Sequence, residues 1–439
     1  MPTLAGSART LLYLSSIWPE PRASAAGVRV WNVVRALQRA GWRVHFASAS
    51  DRNAASAAME DAGVAVHAFP INDSTVDDEL RRIDPDAVLF DRFVVEEQWG
   101  WRIESVLPKA ARFLDLIDLH SLRHFRQQAA HSERGVVSGG PGPDAELSPE
   151  CLRELSAILR SDHVFFISER EQQWAEQWLE FPLNPDRASV SRFWYDDGEV
   201  ARARRDSLAH DDRRHVAMIG NARHAPNVDA MRWCAKDIWP RVRKRIPGAE
   251  LHYWGAYLSQ EVTQLADDRA GIRIRGFAPD AIQTLGQYRV HVAPLRFGAG
   301  IKGKIADAWV AGTPTVMTRV GAEGMVGGDS GAGAAADVID DVEGIATRVA
   351  ELLGAESRRD QALWQRRQAA GWQEVDRSYL ASREEPRLAE TFDSVVRLKR
   401  VRGGRSNAVS RILHLNSLRA TEYLSRWIEA KNKRQGQGG

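Results

Sequence analysis

Lys302 and Lys304 stand in a run whose residue types suit the holding of an anion. Residues 293–312 read APLRFGAGIKGKIADAWVAG. The apolar positions Val290, Val292 and Ala293 stop at Pro294, and Gly298, Gly300 and Gly303 follow within six positions. Ile305, Ala308, Trp309 and Gly312 then recur at helical spacing, closed by Thr313-Pro314. This predicts a strand, a glycine loop and a helix. Glycines let a ligand come close to the backbone, a helix start offers unpaired N–H groups, and the two lysines add positive charge. Phosphate is the guest such a loop suits. A glycine turn with solvated lysines would be spelled the same way.

A second set lies in DLIDLHSLRH (115–124). Asp118 and His120 are two residues apart, close enough to act in one site. His120 and His124 share the i, i+4 spacing of helical metal ligands, but no third ligand is evident, so no metal is expected. Arg223, in GNARHAPN (220–227), falls just beyond a predicted strand end, on the same sheet edge as the glycine loop. Glu323, flanked by glycines in VGAEGM (320–325), reads as another ligand-edge residue or as part of a turn. Gly27 stands alone at a helix entry, without a G-x-G-x-x-G, which excludes the nicotinamide fingerprint.

The elements that must position these residues alternate. Apolar runs at 10–15, 43–47, 64–68, 87–90, 112–117 and 164–167 are separated by helical patterns. The first of these carries Val30, Val33, Val34 and Leu37, and others span 99–107 and 152–159. The rhythm restarts at 215–220, where Asn227 is placed to cap the next helix. It continues through 251–254, 272–276, 290–293, 315–318 and 338–339. The expected fold class is α/β, two Rossmann-like, doubly wound parallel sheets facing across a cleft. The expected domains are 1–195 and 215–378, joined by a linker at 196–214 with 11 charged residues in 19. A final helix at 379–400 and a tail at 401–439 follow. The insert VVSGGPGPDAELSP (136–149) and the run GGDSGAGAAAD (327–337) read as loose loops.

Composition narrows the function. The chain has 439 residues, 44% of them hydrophobic, enough for two cores. Cys151 and Cys234 are too far apart and too few for a disulfide framework or a zinc site. No apolar run approaches the ~18 residues that cross a bilayer. The first apolar patch reads as a buried strand rather than a secretion signal, so the expected location is cytoplasmic. Residues 397–439 carry nine net positive charges and the rest seven net negative, against an overall +2. A weakly acidic body argues against nucleic acid as a partner.

The loop also resembles the nucleotide-sugar loop of the retaining glycosyltransferases of family 4, especially a bacterial branch written GAGIKGK. The resemblance extends to IGNARHAPNVDAMRW (219–233) and TRVGAEGM (318–325). It implies the GT-B fold, a last helix crossing back to the first domain, and transfer from a nucleotide sugar with retention of configuration. No metal or separate cofactor would be needed, the donor being a co-substrate. It implies donor contacts from Gly27, Arg223, Gly298, Gly300, Lys302, Lys304, Asp307 and Glu323, with Arg223 on the diphosphate. Gly27 would approach the donor phosphate, or be an ordinary loop glycine. His120 takes the place of a histidine beside the transferred sugar, with Asp118 near it and Lys302 on the leaving phosphate. Where the family has two glutamates with seven residues between them, this chain has Ala299 and Asp307. Asp307 can still accept from ribose hydroxyls, whereas a methyl group cannot bind sugar. The alternative reading is therefore a weakened pseudoenzyme or nucleotide-binding partner subunit. An epimerase on the same two-domain plan is a third.

The last segment, NAVSRILHLNSLRATEYLSRWIEAKNKR, places Val409, Ile412, Leu413, Leu424, Trp427 and Ile428 roughly on one face among arginines. A basic amphipathic helix of this kind contacts a membrane surface or a partner, or covers a patch on its own acidic body. The acceptor expected is a glycan, a lipid-linked sugar or a protein, in polysaccharide biosynthesis.

Overall fold

The structure, a computed structural model, describes residues 8–22, 24–132, 135–142, 145–325, 335–354, 358–404 and 406–436. Its first sheet contains β1 (Thr10–Ser15), β2 (Arg43–Ser48), β3 (Ala65–Ala68), β4 (Ala87–Asp91), β5 (Ala111–Leu116), β6 (His163–Phe166) and β7 (Ala188–Val190). The second contains β8 (Arg214–Ile219), β9 (Leu251–Trp254), β10 (Ile272–Gly276), β11 (Tyr288–Ala293), β12 (Thr315–Met317) and β13 (Asp337–Val338). Strand orders are β3-β2-β1-β4-β5-β6-β7 and β10-β9-β8-β11-β12-β13. Every pairing within them is parallel. Central strands of such sheets are covered on both faces, which is why TLLYLS and ARFLDL are buried at every position. Each sheet reverses its order beside its first strand, and the loops leaving the carboxyl ends there form the natural ligand edge.

The helices that matter for that edge are α1 (Ala25–Arg39), α2 (Arg92–Val106), α3 (His120–Ser132), α4 (Pro149–Arg160) and α5 (Glu169–Leu179) in the first domain. The connection carries α6 (Asp197–Arg205), and the second domain adds α7 (Ala225–Trp233) and α8 (Gly303–Val310). Their starts follow from capping chemistry. Ser24 accepts from Gly27 N, Ser168 from Glu171 N, and Ser148 from Cys151 N with Pro149 at the first turn. Three expectations need correction. The helix expected from 99 begins at Arg92, directly off β4, and the three-residue β7 has no apolar run to announce it. Asn227 is not a cap, since His224 holds that position and the Asn227 amide donates to Asn221 O at 2.8 Å.

Tyr195 and Leu380 mark where the chain passes twice between the domains. Tyr195 N donates to Tyr379 O and Ala381 N to Tyr195 O, both at 2.9 Å. After this bridge α9 (Arg358–Ser378) gives way to α10 (Ala381–Val401), which returns to the first domain. Its Phe392 stacks on Phe113 of β5 at 4.1 Å between ring centres. Two further helices, α11 (Ala408–Ser417) and α12 (Arg419–Gly436), pack against α2 and α4. No helix among the described residues is long and apolar enough to cross a membrane.

The insert at 136–149 is not loose at its start. Val137 is buried and its N–H donates to Arg296 O of the second domain at 2.7 Å. Most of the glycine- and alanine-rich run at 327–337 lies outside the described residues.

Candidate active site at the seam between the sheets

The glycine loop leaves β11 and lies against the first domain. Gly298 and Gly300 have φ of 147° and 70°, in the region that favours glycine. A Cβ on Gly300 would sit 3.0 Å from Asp118 Cβ and from Ile117 O, and one on Gly303 would sit 2.9 Å from Ala25 Cβ. The starts of α1 and α8 therefore face each other across the seam, with the β5–α3 corner beside them. Both helix starts lend partial positive charge to whatever lies between.

On the first-domain side, Asp118 pairs with Arg123 and lies 3.4 Å from His120 Nε2. Burial alone would raise the Asp118 carboxyl, but Arg123, His120 and Arg92 outweigh it and hold it below its ordinary value. Burial lowers His120, offset in part by Asp118. Its ring packs edge-on against Phe93 at 5.5 Å. His124 turns elsewhere, its Nδ1 2.6 Å from Glu150 Oε2, so the i, i+4 pair is divided between two partners. Glu154 fixes the start of α3, its carboxylate accepting from His120 N at 3.0 Å and from the Ser121 hydroxyl at 2.5 Å. Burial pushes that carboxyl up to about 7.

On the second-domain side, Lys302 caps α8 and is buried, with Nζ donating to Gly300 O at 2.6 Å. Burial brings its ammonium down to about 8, opposed by Glu323. Lys304 donates to Asn227 Oδ1, and burial followed by Lys302 brings it down to about 7. Burial thus disfavours the charged form of both lysines, and an anion placed beside them would favour it again. Asp307 accepts from the Tyr195 hydroxyl at 2.6 Å, and burial pushes its carboxyl up to about 7.

Other expected residues stand differently. A Cβ on Gly27 would meet Glu20 C at 2.4 Å and Pro21 N at 2.8 Å, so close approach of the chain's own backbone requires a glycine here. Glu323 does not face open space. Buried Arg126 of α3 holds it through both oxygens at 2.7 and 2.8 Å, and also donates to Gly298 O, Gly139 O and Ser138 O. Arg223 is exposed, with its guanidinium 3.7 Å from the centre of the Tyr257 ring. The Tyr257 hydroxyl in turn donates to Glu20 of the first domain at 2.7 Å. Asp118, His120, Gly298, Gly300, Lys302 and Lys304 are brought together at the seam. Arg223 and Asp307 lie on its flanks.

Three residues at the seam carry little or no signal in the local sequence. Glu171, in the first turn of α5, accepts from Gly300 N at 2.6 Å and from Leu119 N at 3.4 Å through Oε1, while its buried Oε2 has no partner. Burial, then Asp118, pushes its carboxyl up to about 8. Arg92 adopts a left-handed φ of 70° directly after β4 and contributes positive charge to Asp118. His224 is the third, close enough to feel Asp118, Arg123 and Lys304. Ser168 followed by an acid-rich turn is the one hint that could have marked Glu171.

Residues 213–355 match the family model described as glycosyl transferases group 1. Solved structures extend the likeness to nearly nine-tenths of the chain. HepE of Anabaena, in complex with UDP-glucose, is 13% identical with a TM-score of 0.61, over 88% of this chain and 99% of that one. Sucrose-phosphate synthase of Thermosynechococcus elongatus is 12% identical with a TM-score of 0.65, over 89% and 100%. A glycosyltransferase of Rickettsia africae is 10% identical with a TM-score of 0.64, over 89% and 99%. A search of curated protein sequences returns no match. The fold is GT-B, two Rossmann-like domains with a helical C-terminal extension. The second of those domains carries the glycosyl transferases group 1 signature.

Proposed function

We propose that this protein is a glycosyltransferase that moves a sugar from a nucleotide-sugar donor to a glycan, lipid-linked or protein acceptor, with retention and without a metal. The observation that carries this reading is the glycine loop with Lys302, Lys304 and the α8 start, set against Asp118 and His120. Negative charge develops on the leaving diphosphate during transfer. Lys302 Nζ now donates to Gly300 O and Lys304 Nζ to Asn227 Oδ1, and each such donor, turned to the leaving diphosphate, would be worth about 3 kcal/mol. His120 and Asp118 stand where the sugar would lie. A same-face attack, with the departing phosphate oxygen taking the acceptor's proton, needs no enzymic nucleophile. Closing the seam excludes water and limits hydrolysis of the donor.

Ala299 leaves the sugar without one expected carboxylate, and Glu171 supports a replacement. It reaches the neighbouring Gly300 N–H from the opposite domain and has an oxygen to spare. Arg223 and Asp307 would turn to the donor's diphosphate and ribose when a nucleotide enters, Asp307 by releasing Tyr195. The setting is cytoplasmic and peripheral to a membrane, in polysaccharide biosynthesis.

The first test is thermal-shift screening against UDP, GDP, dTDP and their sugars. Because a neighbouring fold was solved with UDP-glucose, UDP-sugars lead the panel. Stabilisation by one nucleotide family is expected, and indifference to all would sink the proposal. The second reading, a pseudoenzyme, draws on Ala299 and on the Tyr195–Asp307 hydrogen bond. Nucleotide binding with no turnover under every acceptor, unchanged in Lys302→Ala, would favour it. A changed sugar with no acceptor present would instead indicate epimerisation.

A further inference from the structure

The two last helices expose an apolar face that nothing among the described residues covers. Six of the fourteen exposed large apolar side chains among the described residues fall within 409–427. They are Val409, Ile412, Leu415, Tyr423, Leu424 and Trp427, each between 49% and 66% exposed. The opposite face is anchored. Ser410 Oγ donates to Arg160 O at 2.6 Å, Arg160 donates to Ser417 Oγ at 2.9 Å, and buried Leu418 lies against α2 at Gly100. Glu429 accepts from Ser74 N at 3.2 Å. Both helices bury one side on the same α2–α4 layer, so their free sides point away from the body.

Charge selects what covers that side. The two acids of α12 are engaged, Glu422 with Arg426 at 2.8 Å and Glu429 with Lys433 at 2.6 Å. Arg411, Arg419, Lys431 and Arg434 belong to the same two helices, and Lys431 Nζ sits 5.4 Å over the Trp427 ring. The whole positive excess of the chain lies in residues 397–439, while the body is net negative. Aliphatic side chains, a Tyr and a Trp amid Arg and Lys match a helix lying in a headgroup layer, with the bases reaching up to lipid phosphates. The net negative charge of the rest of the chain gives it no comparable attraction to such a surface, so the charge balance favours this face.

We propose that the outer face of α11 and α12 docks the protein on an anionic phospholipid bilayer. This assignment stands apart from the catalytic reading and survives if that reading fails. The experiment is co-sedimentation of the full chain with vesicles of phosphatidylcholine alone or mixed with phosphatidylglycerol. Binding to the mixed vesicles should be at least about tenfold stronger, and added salt should weaken it. The double variant Leu424→Ser/Trp427→Ser should lose about tenfold or more without a change in melting temperature. Each of Arg411→Gln and Arg419→Gln should lose about fivefold. Equal binding to both vesicle types, or wild-type binding by the double variant, would overturn the proposal. So would ultracentrifugation showing a dimer that the double variant abolishes, since the face would then belong to a second copy.

Discussion

Two junctions join the same pair of domains, and they are built on opposite principles. At Tyr195 and Leu380 the chain crosses with backbone hydrogen bonds at 2.9 Å and apolar packing around Tyr379. At residues 298–303 the contact is made by charged groups. There Glu171, Lys302 and Lys304 all have ionisation displaced by burial, and Glu171 Oε2 has no partner. The first junction pairs the backbone groups of its crossing strands and suits a hinge. The second pairs its charges incompletely and so gains from a ligand that completes them. Nucleotide entry would part the second while the first holds.

Substitutions can break this contrast. The largest expected effect is at Arg126, whose loss strands Glu323 and three carbonyls. Arg126→Ala should lower unfolding free energy by about 3–5 kcal/mol in urea denaturation. A change below 1 kcal/mol would show that the charged junction contributes nothing to holding the domains closed. Lys302→Ala comes next, with a loss of about a hundred- to a thousandfold in turnover of a bound nucleotide sugar. Equal turnover in wild type and variant would remove Lys302 from the chemistry.

Tyr195→Phe leaves Asp307 Oδ1 without its donor and should cost about 1–2 kcal/mol in the same denaturation assay. If Asp307 is released to a ribose, nucleotide affinity should hold or rise in this variant, as read by calorimetry. A tenfold loss would mean that the tyrosine helps binding rather than competing with it.

A further test concerns pH. Glu171 titrates near 8 when folded against about 4.5 unfolded, so the folded chain binds the extra proton between those values. Its contribution is complete below pH 4.5 and declines as pH rises through 8. Melting temperature between pH 5 and 7 should therefore fall less steeply in Glu171→Gln than in wild type. Identical slopes would show that Glu171 is not protonated at the closed seam.

How much of this was legible depended on range. Parallel strands buried on both faces announce themselves as apolar runs, so β1 or β11 can be read from a few letters. β7, with the letters ASV, cannot. The glycine loop was legible because backbone geometry demands its glycines locally. Glu171 and Arg126 were not, because their partners lie 129 and 197 positions away and a single charge on a helix has no local signature. Gly27 carries two readings for a related reason. A glycine signals close approach without saying whether the visitor is a ligand or, as here, the chain's own Glu20–Pro21 backbone.

Helix α10 carries a consequence for synthesis. Phe113 and Phe165, from the middle of the first sheet, are covered by Phe392, and Leu388, Val395 and Val396 join the same core. On a ribosome the N-terminal half emerges hundreds of residues before its lid does. That half must wait with an uncovered apolar face, open to chaperones, until α10 has been made.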